Sequence, residues 1–142
     1  MASGGGDATV RIWDLATEMP HHTMTGHTNW VLVVAWSPNR ARLATAGMDG
    51  LLIIWDPETA ACKARIEAHS KHINSISWIP MHVDPECTRI ATSSKDKTVK
   101  IWNVLSKQML LTFRTHTASV TRVIWGGEGY IYTASQDKLI KM

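Results

Sequence analysis

One pattern of residues recurs four times along this chain of 142 residues, and an aspartate marks each recurrence. Asp7, Asp49, Asp96 and Asp137 follow one another at intervals of 42, 47 and 41 residues. A serine or threonine stands four residues before each aspartate, and a tryptophan stands six residues after the first three. A period of about 40–50 residues that several residue types share predicts an array of similar structural units.

A histidine completes the pattern in three of the four repeats, and we call each aligned set of His, Ser/Thr, Asp and Trp a tetrad. Two tetrads are complete: His27, Thr45, Asp49 and Trp55 form one, and His69, Thr92, Asp96 and Trp102 form the other. Two are incomplete: Ser3, Asp7 and Trp13 lack a histidine, and His116, Thr133 and Asp137 lack a tryptophan.

The segments that follow the repeat aspartates have the period of β-strands. Apolar residues alternate there, as in the pairs Val10/Ile12 and Leu52/Ile54, and such alternation predicts half-buried strands. Turn residues separate the segments, for example at 37–39 and 126–129, and no segment has a helical period. The sequence therefore predicts an all-β chain of about a dozen short strands. Trp36, Trp78 and Trp125, which lie in phase on such strands, are expected in the core between repeats.

Gly26-His27, Trp55-Asp56 and the shared register resemble WD40 repeats, which run about 40–45 residues and form one four-stranded propeller blade each. The resemblance implies an all-β WD40 β-propeller fragment with two whole four-stranded blades and two partial ones. It places a partial blade at 1–25, blades at 26–67 and 68–114, and a partial blade at 115–142, all in one propeller domain segment. It also implies that each tetrad is a buried, hydrogen-bonded structural set.

Both ends of the chain fall inside predicted strands. Because propellers close with about 4–8 blades, we expect this chain to be part of a longer propeller. The alternative is that two such chains associate to complete one ring.

The repeated His and Asp residues are also candidates for metal ligands or for acid–base pairs. Their recurrence in each repeat favours a structural role, because a catalytic set is assembled once. Cys62 and Cys87 form no C-x-x-C motif, and the glycines at 4–6 precede no predicted helix. The longest apolar run, Val31 to Trp36, is too short to span a membrane. We therefore predict no enzyme and no catalytic, cofactor-binding or metal site.

Charge is distributed unevenly along the chain. Residues 1–62 hold three basic and six acidic side chains, whereas residues 63–142 hold twelve and six. A basic face favours RNA or an acidic partner. The candidate partner-binding residues flank the repeat His and Asp positions, at the rim of the expected propeller. They are Asn29, Trp30, Met48, Lys71, His72, Lys95, Lys97, Ser119, Gln136 and Lys138.

One connection is longer than its counterparts, because fourteen residues separate Trp78 from Thr92 where nine and eight separate the equivalent pairs. The extra residues lie in the loop 79–88, between the first and second predicted strands of its repeat. The segment SWIPMHVDPEC at 77–87 resembles the Notchless family of ribosome-assembly proteins. So do NWVL at 29–32 with AWSP at 35–38, and WGG at 125–127 with YTASQD at 132–137.

The Notchless resemblance implies a non-catalytic WD40 scaffold in assembly of the large (60S) ribosomal subunit, in the nucleolus and nucleus. Its implied partners are proteins of the pre-60S ribosomal particle and rRNA, with no membrane and no small-molecule substrate. The family engages the AAA ATPase midasin through a ubiquitin-like domain that this sequence does not contain. The alternatives are the substrate-recognition propeller of a ubiquitin ligase and a general signalling interaction platform.

Overall fold

The computed structural model describes residues 1–142 and contains fourteen β-strands and no helix. The strands are β1 (Ala2–Gly4), β2 (Thr9–Trp13), β3 (Pro20–Thr25), β4 (Val31–Trp36), β5 (Leu43–Gly47), β6 (Leu51–Trp55), β7 (Cys62–Glu67), β8 (Ile73–Trp78), β9 (Arg89–Ser94), β10 (Val99–Asn103), β11 (Gln108–Phe113), β12 (Val120–Trp125), β13 (Ile131–Ser135) and β14 (Ile140–Lys141). No helix capable of crossing a membrane is present. The prediction of an all-β chain is confirmed.

The strands form four antiparallel sheets, each of which is a simple meander. Sheet A contains β1–β3, sheet B contains β4–β7, sheet C contains β8–β11 and sheet D contains β12–β14. The strands of these sheets fall within 1–25, 26–67, 68–114 and 115–142 respectively. Two sheets of four strands and two of three are the arrangement expected for WD40 propeller blades.

The first strands of sheets B, C and D contact one another in order, and we call them the inner strands. Each inner strand contains one bulge at the same repeat position, where Leu32, Asn74 or Thr121 is the extra residue. A bulge of this kind bends a strand and changes the direction of its side chain. The three bulged residues therefore lie at equivalent places along the inner side of the array.

The core lies between successive sheets in three apolar clusters. Val10 and Ile12 of sheet A pack with Ile53 and Trp55 of sheet B, and the clusters at the two later junctions are built in the same way. Burial of these facing surfaces is the main stabilising contribution in such an array.

The tryptophans expected in the core differ in burial. Trp78 and Trp125 are buried, but the expectation is wrong for Trp36, which is 38% exposed. The difference has a local cause, because the indole of Trp78 packs over the inner strand of the preceding sheet and donates its N–H to the Ala35 carbonyl. Sheet A begins with β1, which is equivalent to a second strand, and so offers Trp36 no such neighbour.

Successive connections of a meander lie at opposite ends of the strands, so the array has two faces. We call the face formed by the strand ends near the repeat histidines the His face. It contains the connections 5–8, 26–30, 48–50, 68–72, 95–98, 114–119 and 136–139. The opposite face contains the connections 14–19, 37–42, 56–61, 79–88, 104–107 and 126–130.

The tight turns of the His face contain one residue in the left-handed backbone conformation, with positive φ, directly after the repeat aspartate. Gly50 has φ +73° there, and a Cβ on it would lie 2.2 Å from the carbonyl oxygen of His69. Ala8, Lys97 and Lys138 occupy the same position with φ of 63°, 72° and 67°. A left-handed conformation costs a non-glycine residue about 1–2 kcal/mol, so these turns are held by the surrounding sheet.

The loop 79–88 of sheet C contacts the sheets on both sides of it. The Arg42 guanidinium of sheet B donates to the carbonyls of Glu86 and Cys87 at 2.8 and 3.5 Å. On the other side, the His82 ring contacts the Gly127 carbonyl in sheet D. The loop thus joins three sheets on the opposite face.

The repeat tetrads and a candidate binding cleft

The tetrad of sheet B is a continuous chain of hydrogen bonds. Trp55 donates its indole N–H to Thr45 Oγ1 at 2.8 Å, and that hydroxyl lies 2.7 Å from His27 Nε2. His27 Nδ1 lies 2.8 Å from Asp49 Oδ2. The set links a connection, a strand and a turn of sheet B and leaves the His27 side chain with no exposed surface.

Sheet C repeats this geometry with one addition. His69 lies 2.8 Å from both Thr92 Oγ1 and Asp96 Oδ2, and Trp102 donates to Thr92 at 3.1 Å. The hydroxyl of Thr98 also donates to Asp96 Oδ1 at 2.5 Å. The same repeat position holds Thr9 in sheet A and a leucine in sheets B and D, and it is not among the residues that define the tetrads.

Burial and hydrogen bonding decide the protonation of this pair. Desolvation lowers the pKa of His69 below its ordinary value, although the hydrogen bond to Asp96 opposes the shift. Desolvation alone would raise the pKa of Asp96, but hydrogen bonds from Thr98 and His69 lower it below its ordinary value. At neutral pH the imidazole is therefore neutral, donates from Nδ1 to the carboxylate and accepts the Thr92 hydroxyl at Nε2.

Sheet D has the same arrangement without a tryptophan. His116 Nδ1 lies 2.8 Å from Asp137 Oδ2, and Nε2 lies 2.8 Å from Thr133 Oγ1. Burial opposes ionisation of Asp137, yet hydrogen bonds from His116 and from the backbone of Thr117 and Leu139 lower its pKa to about 2. The carboxylate is thus ionised in the folded chain at neutral pH.

Sheet A brings together only two of its three predicted members. Trp13 donates its indole N–H to Ser3 Oγ at 2.8 Å. Asp7 does not join them: it accepts from the hydroxyl and backbone of Thr9 and forms an ion pair with Arg11 at 2.8 Å. These bonds lower the pKa of Asp7 to about 2. Without a histidine, Asp7 has only the bonds to its own hairpin, which the other three aspartates form in addition to the bond with their histidine.

Threonine, histidine and aspartate in this order have the connectivity of a nucleophile, a base and an orienting carboxylate. Here the order occurs in sheets B, C and D, and each of the three histidines is buried. In the two complete tetrads the hydroxyl that would attack already accepts an indole N–H. No group of three or more His, Cys, Asp or Glu side chains is placed to hold a metal ion.

A lysine reinforces the tetrads of sheets C and D at their outer side. Lys100 donates to the Ala68 carbonyl at 2.7 Å, and Lys141 contacts the Thr115 carbonyl. Each carbonyl belongs to the residue just before the repeat histidine, so each lysine ties a strand to the connection that carries the histidine.

The ten residues predicted at the rim all belong to connections of the His face. Trp30 is 56% exposed, and its ring lies beside Gly6 of sheet A. Its backbone carbonyl accepts a hydrogen bond from the backbone N–H of Met48. Lys71, Lys95, Lys97 and Lys138 are also exposed, as are Asn29 and Gln136, whereas His72 and Ser119 are half-buried. The ammonium groups of these four lysines form no ion pair or hydrogen bond within the chain.

Three of the ten rim residues line one cleft between sheets C and D. The cleft has a volume of about 340 Å³, and its lining is entirely polar: Asn74, Lys95, Ser119, Thr121 and Gln136. Asn74 crosses between the sheets and donates to Ser119 Oγ at 3.1 Å and to the Val120 carbonyl at 2.8 Å. Sequence reasoning missed Asn74 and Thr121, although both occupy the bulge position that recurs in each inner strand.

The sheets, the repeated histidine sets and the register define a WD40-repeat protein. A profile of the family described as "WD domain, G-beta repeat" matches residues 18–56, 60–103 and 107–142, and the chain belongs to that family. It is 52% identical, over its whole length, to Protein Notchless of Drosophila melanogaster. It is 46% identical to Ribosome assembly protein 4 of Saccharomyces cerevisiae over 87% of the chain, and 46% identical to the Notchless protein homolog of Arabidopsis thaliana over 94%. The chain spans 29%, 24% and 28% of the length of these three relatives.

Proposed function

We propose that this chain serves as a non-catalytic scaffold in assembly of the large ribosomal subunit, in the nucleolus and nucleus. The similarity to Notchless and to Ribosome assembly protein 4 carries the proposal, because it extends over 87–100% of the chain at 46–52% identity. Its partners are proteins and rRNA of the pre-60S particle. Midasin would be reached only through a ubiquitin-like domain elsewhere in such a protein.

The geometry supports a scaffold rather than a catalyst. A catalytic base needs access to substrate, whereas the His27 and His69 side chains have no exposed surface. Asp96 and its counterparts also bond backbone N–H groups, as a turn-stabilising residue does. The tetrads therefore have a structural role in this proposal: their hydrogen bonds fix the positions of the connections on the His face.

Partner contact is assigned in this proposal to the exposed side chains of the His face. Trp30 supplies a large exposed aromatic side chain in one part of this face, and Lys95 and Lys97 supply exposed lysines without ion pairs in another. Exposed aromatic and basic groups are the usual means by which a folded surface binds protein and RNA.

Sedimentation of the tagged chain through a sucrose gradient tests the proposal. We expect it to migrate with large-subunit precursors, and we expect the triple variant K71E/K95E/K97E to shift toward the light fractions. The matched control is Lys107→Glu, which changes an exposed lysine on the opposite face of the same sheet. Migration of the unaltered chain in light fractions only, or equal loss with the control, would refute the scaffold assignment.

A further inference from the structure

We infer that the cleft between sheets C and D is a binding site for the phosphate backbone of RNA. The inference rests on the proposed function for the identity of that RNA, which would be ribosomal. It differs from the proposed function in naming the site and the chemical group bound.

The first support is the set of hydrogen-bond donors that the cleft leaves unused. Neither the Lys95 ammonium group nor the Gln136 amide has an acceptor within the chain, and Ser119 Oγ accepts from Asn74 but donates to nothing. No carboxylate lines the cleft. Lysine, serine and amide side chains are the groups that proteins use to contact phosphate oxygens.

The second support is the charge around the cleft. The connections 68–72, 95–98, 114–119 and 136–139 of the two sheets carry five basic residues, Lys71, Lys95, Lys97, Arg114 and Lys138, of which Lys95 lines the cleft. The only acids in these connections are Asp96 and Asp137, so five basic and two acidic side chains give a formal net charge of +3. The field over sheets C and D is therefore positive, which attracts a polyanion.

The repeats themselves supply an internal comparison. Sheet B holds Leu32 and Met48 where sheet C holds Asn74 and Lys95. Neither of those side chains can donate a hydrogen bond, so at the junction of sheets B and C the donors at these positions come from sheet C alone. The junction of sheets C and D differs in that both of its sheets supply hydrogen-bond donors at these positions.

The same observations favour RNA over an acidic peptide. A docked peptide usually inserts an apolar or aromatic anchor into a pocket, and no hydrophobic residue lines this cleft. Phosphopeptide sites typically use clustered arginines for bidentate contact, whereas the cleft contains a single lysine and no arginine. Lysines spread over two sheets suit a chain of regularly spaced phosphates.

Fluorescence anisotropy of a labelled single-stranded RNA of mixed sequence tests the inference with the 142-residue chain over a series of salt concentrations. Each phosphate contact contributes about 0.7 to the slope of log Kobs against log salt for a single strand. We therefore expect Lys95→Gln to reduce the slope by about 0.7. Gln136→Ala should weaken binding at every salt concentration without changing the slope, because it removes a donor and no charge.

Lys107→Gln is the control, because Lys107 is an exposed lysine of sheet C that lies on the opposite face, away from the cleft. Circular dichroism of each variant checks that the sheets are intact. Equal slopes for Lys95→Gln and the unaltered chain, or equal losses for Lys95→Gln and Lys107→Gln, would overturn the inference. Competition by poly-glutamate as effective as that by RNA would identify an acidic protein partner instead and would also overturn it.

The two proposals fail separately. If the chain migrates with large-subunit precursors but the cleft variants leave the salt slope of RNA binding unchanged, the scaffold role stands and the cleft is not the RNA-binding site. Cleft-dependent RNA binding without such migration would leave an RNA-binding site whose natural RNA is not ribosomal.

Discussion

Trp78 and Trp125 occupy the same repeat position, yet only Trp78 has a hydrogen-bond partner for its indole. Trp78 donates to the Ala35 carbonyl at 3.0 Å, whereas Trp125 Nε1 is buried without an acceptor. At the later junction the link is made differently, because the Trp125 backbone N–H donates to Ser77 Oγ at 2.9 Å. The same repeat position therefore has a hydrogen-bonded indole N–H in sheet C and an unpaired one in sheet D.

Replacement of each tryptophan by phenylalanine should measure the difference in stability between the paired and the unpaired indole N–H. Both variants lose similar apolar area, but Trp78→Phe also loses a hydrogen bond and Trp125→Phe removes an unsatisfied donor. We expect Trp78→Phe to lower the free energy of unfolding by about 1–3 kcal/mol more than Trp125→Phe does. Urea denaturation measures the difference, and equal losses would show that Trp125 finds a partner in solution.

Asp96→Ala should destabilise the fold rather than abolish a contact with a partner. It removes the acceptor of His69 Nδ1–H and of the Thr98 backbone N–H, and each buried group left unpaired costs about 1–3 kcal/mol. Glu128→Ala, an exposed loop change, is the control. Thermal melting followed by circular dichroism reads the effect, and an unshifted melting temperature would contradict the structural role of the tetrad.

Stability should decrease as the pH falls, in two ranges. The folded-state pKa of His69 is lowered, so below its ordinary value of 6.5 the unfolded chain binds more protons and stability is lost. Asp96 and Asp137 also have lowered pKa values, so a second loss begins near their ordinary value of 3.8. For Asp137 this loss continues down to about pH 2.

Unfolding free energies measured from pH 8 down to about pH 2 check both ranges. His69→Gln should flatten the dependence between pH 6.5 and the second range, because it removes the group whose folded-state pKa is lowered. Stability that rises on acidification below pH 6.5 would be incompatible with the neutral buried imidazole.

Gly50 and Ala8 occupy equivalent left-handed positions, and reciprocal substitutions should have opposite effects. Gly50→Ala places a Cβ 2.2 Å from the His69 carbonyl oxygen at φ +73°, so we expect a loss of about 2 kcal/mol or more. Ala8→Gly relieves a strained φ of 63° and should gain roughly 0.5–1 kcal/mol after the entropic cost of glycine. Melting temperatures that move in the same direction for both variants would contradict this account of the turn.

The repeat register locates most of the architecture because strand and turn lengths within a repeat are nearly constant. Asp96 and Thr92, for example, are four residues apart and belong to one hairpin, so their positions follow from the strand pattern. The WD40 assignment needs only this regularity, and it is confirmed.

The contacts that the register does not locate join residues distant in the sequence. Lys100 reaches the Ala68 carbonyl and Asn74 reaches Ser119, and both contacts depend on rotamers and on the packing of neighbouring connections. Trp36 shows the same limitation, because its repeat position indicates a core residue while its burial depends on the preceding sheet. The cleft is a product of such contacts, and it therefore emerges only from the folded chain.

The contacts of the loop 79–88 change how the array should open. In a stack of repeats each unit normally couples only to its nearest neighbours, so the ends fray independently. Here one loop of sheet C adds a contact to each neighbouring sheet, through Arg42 in sheet B and Gly127 in sheet D, and so strengthens both junctions of sheet C together. Amide protons of sheets B, C and D are thus expected to exchange with solvent as one cooperative unit, with sheet A opening first.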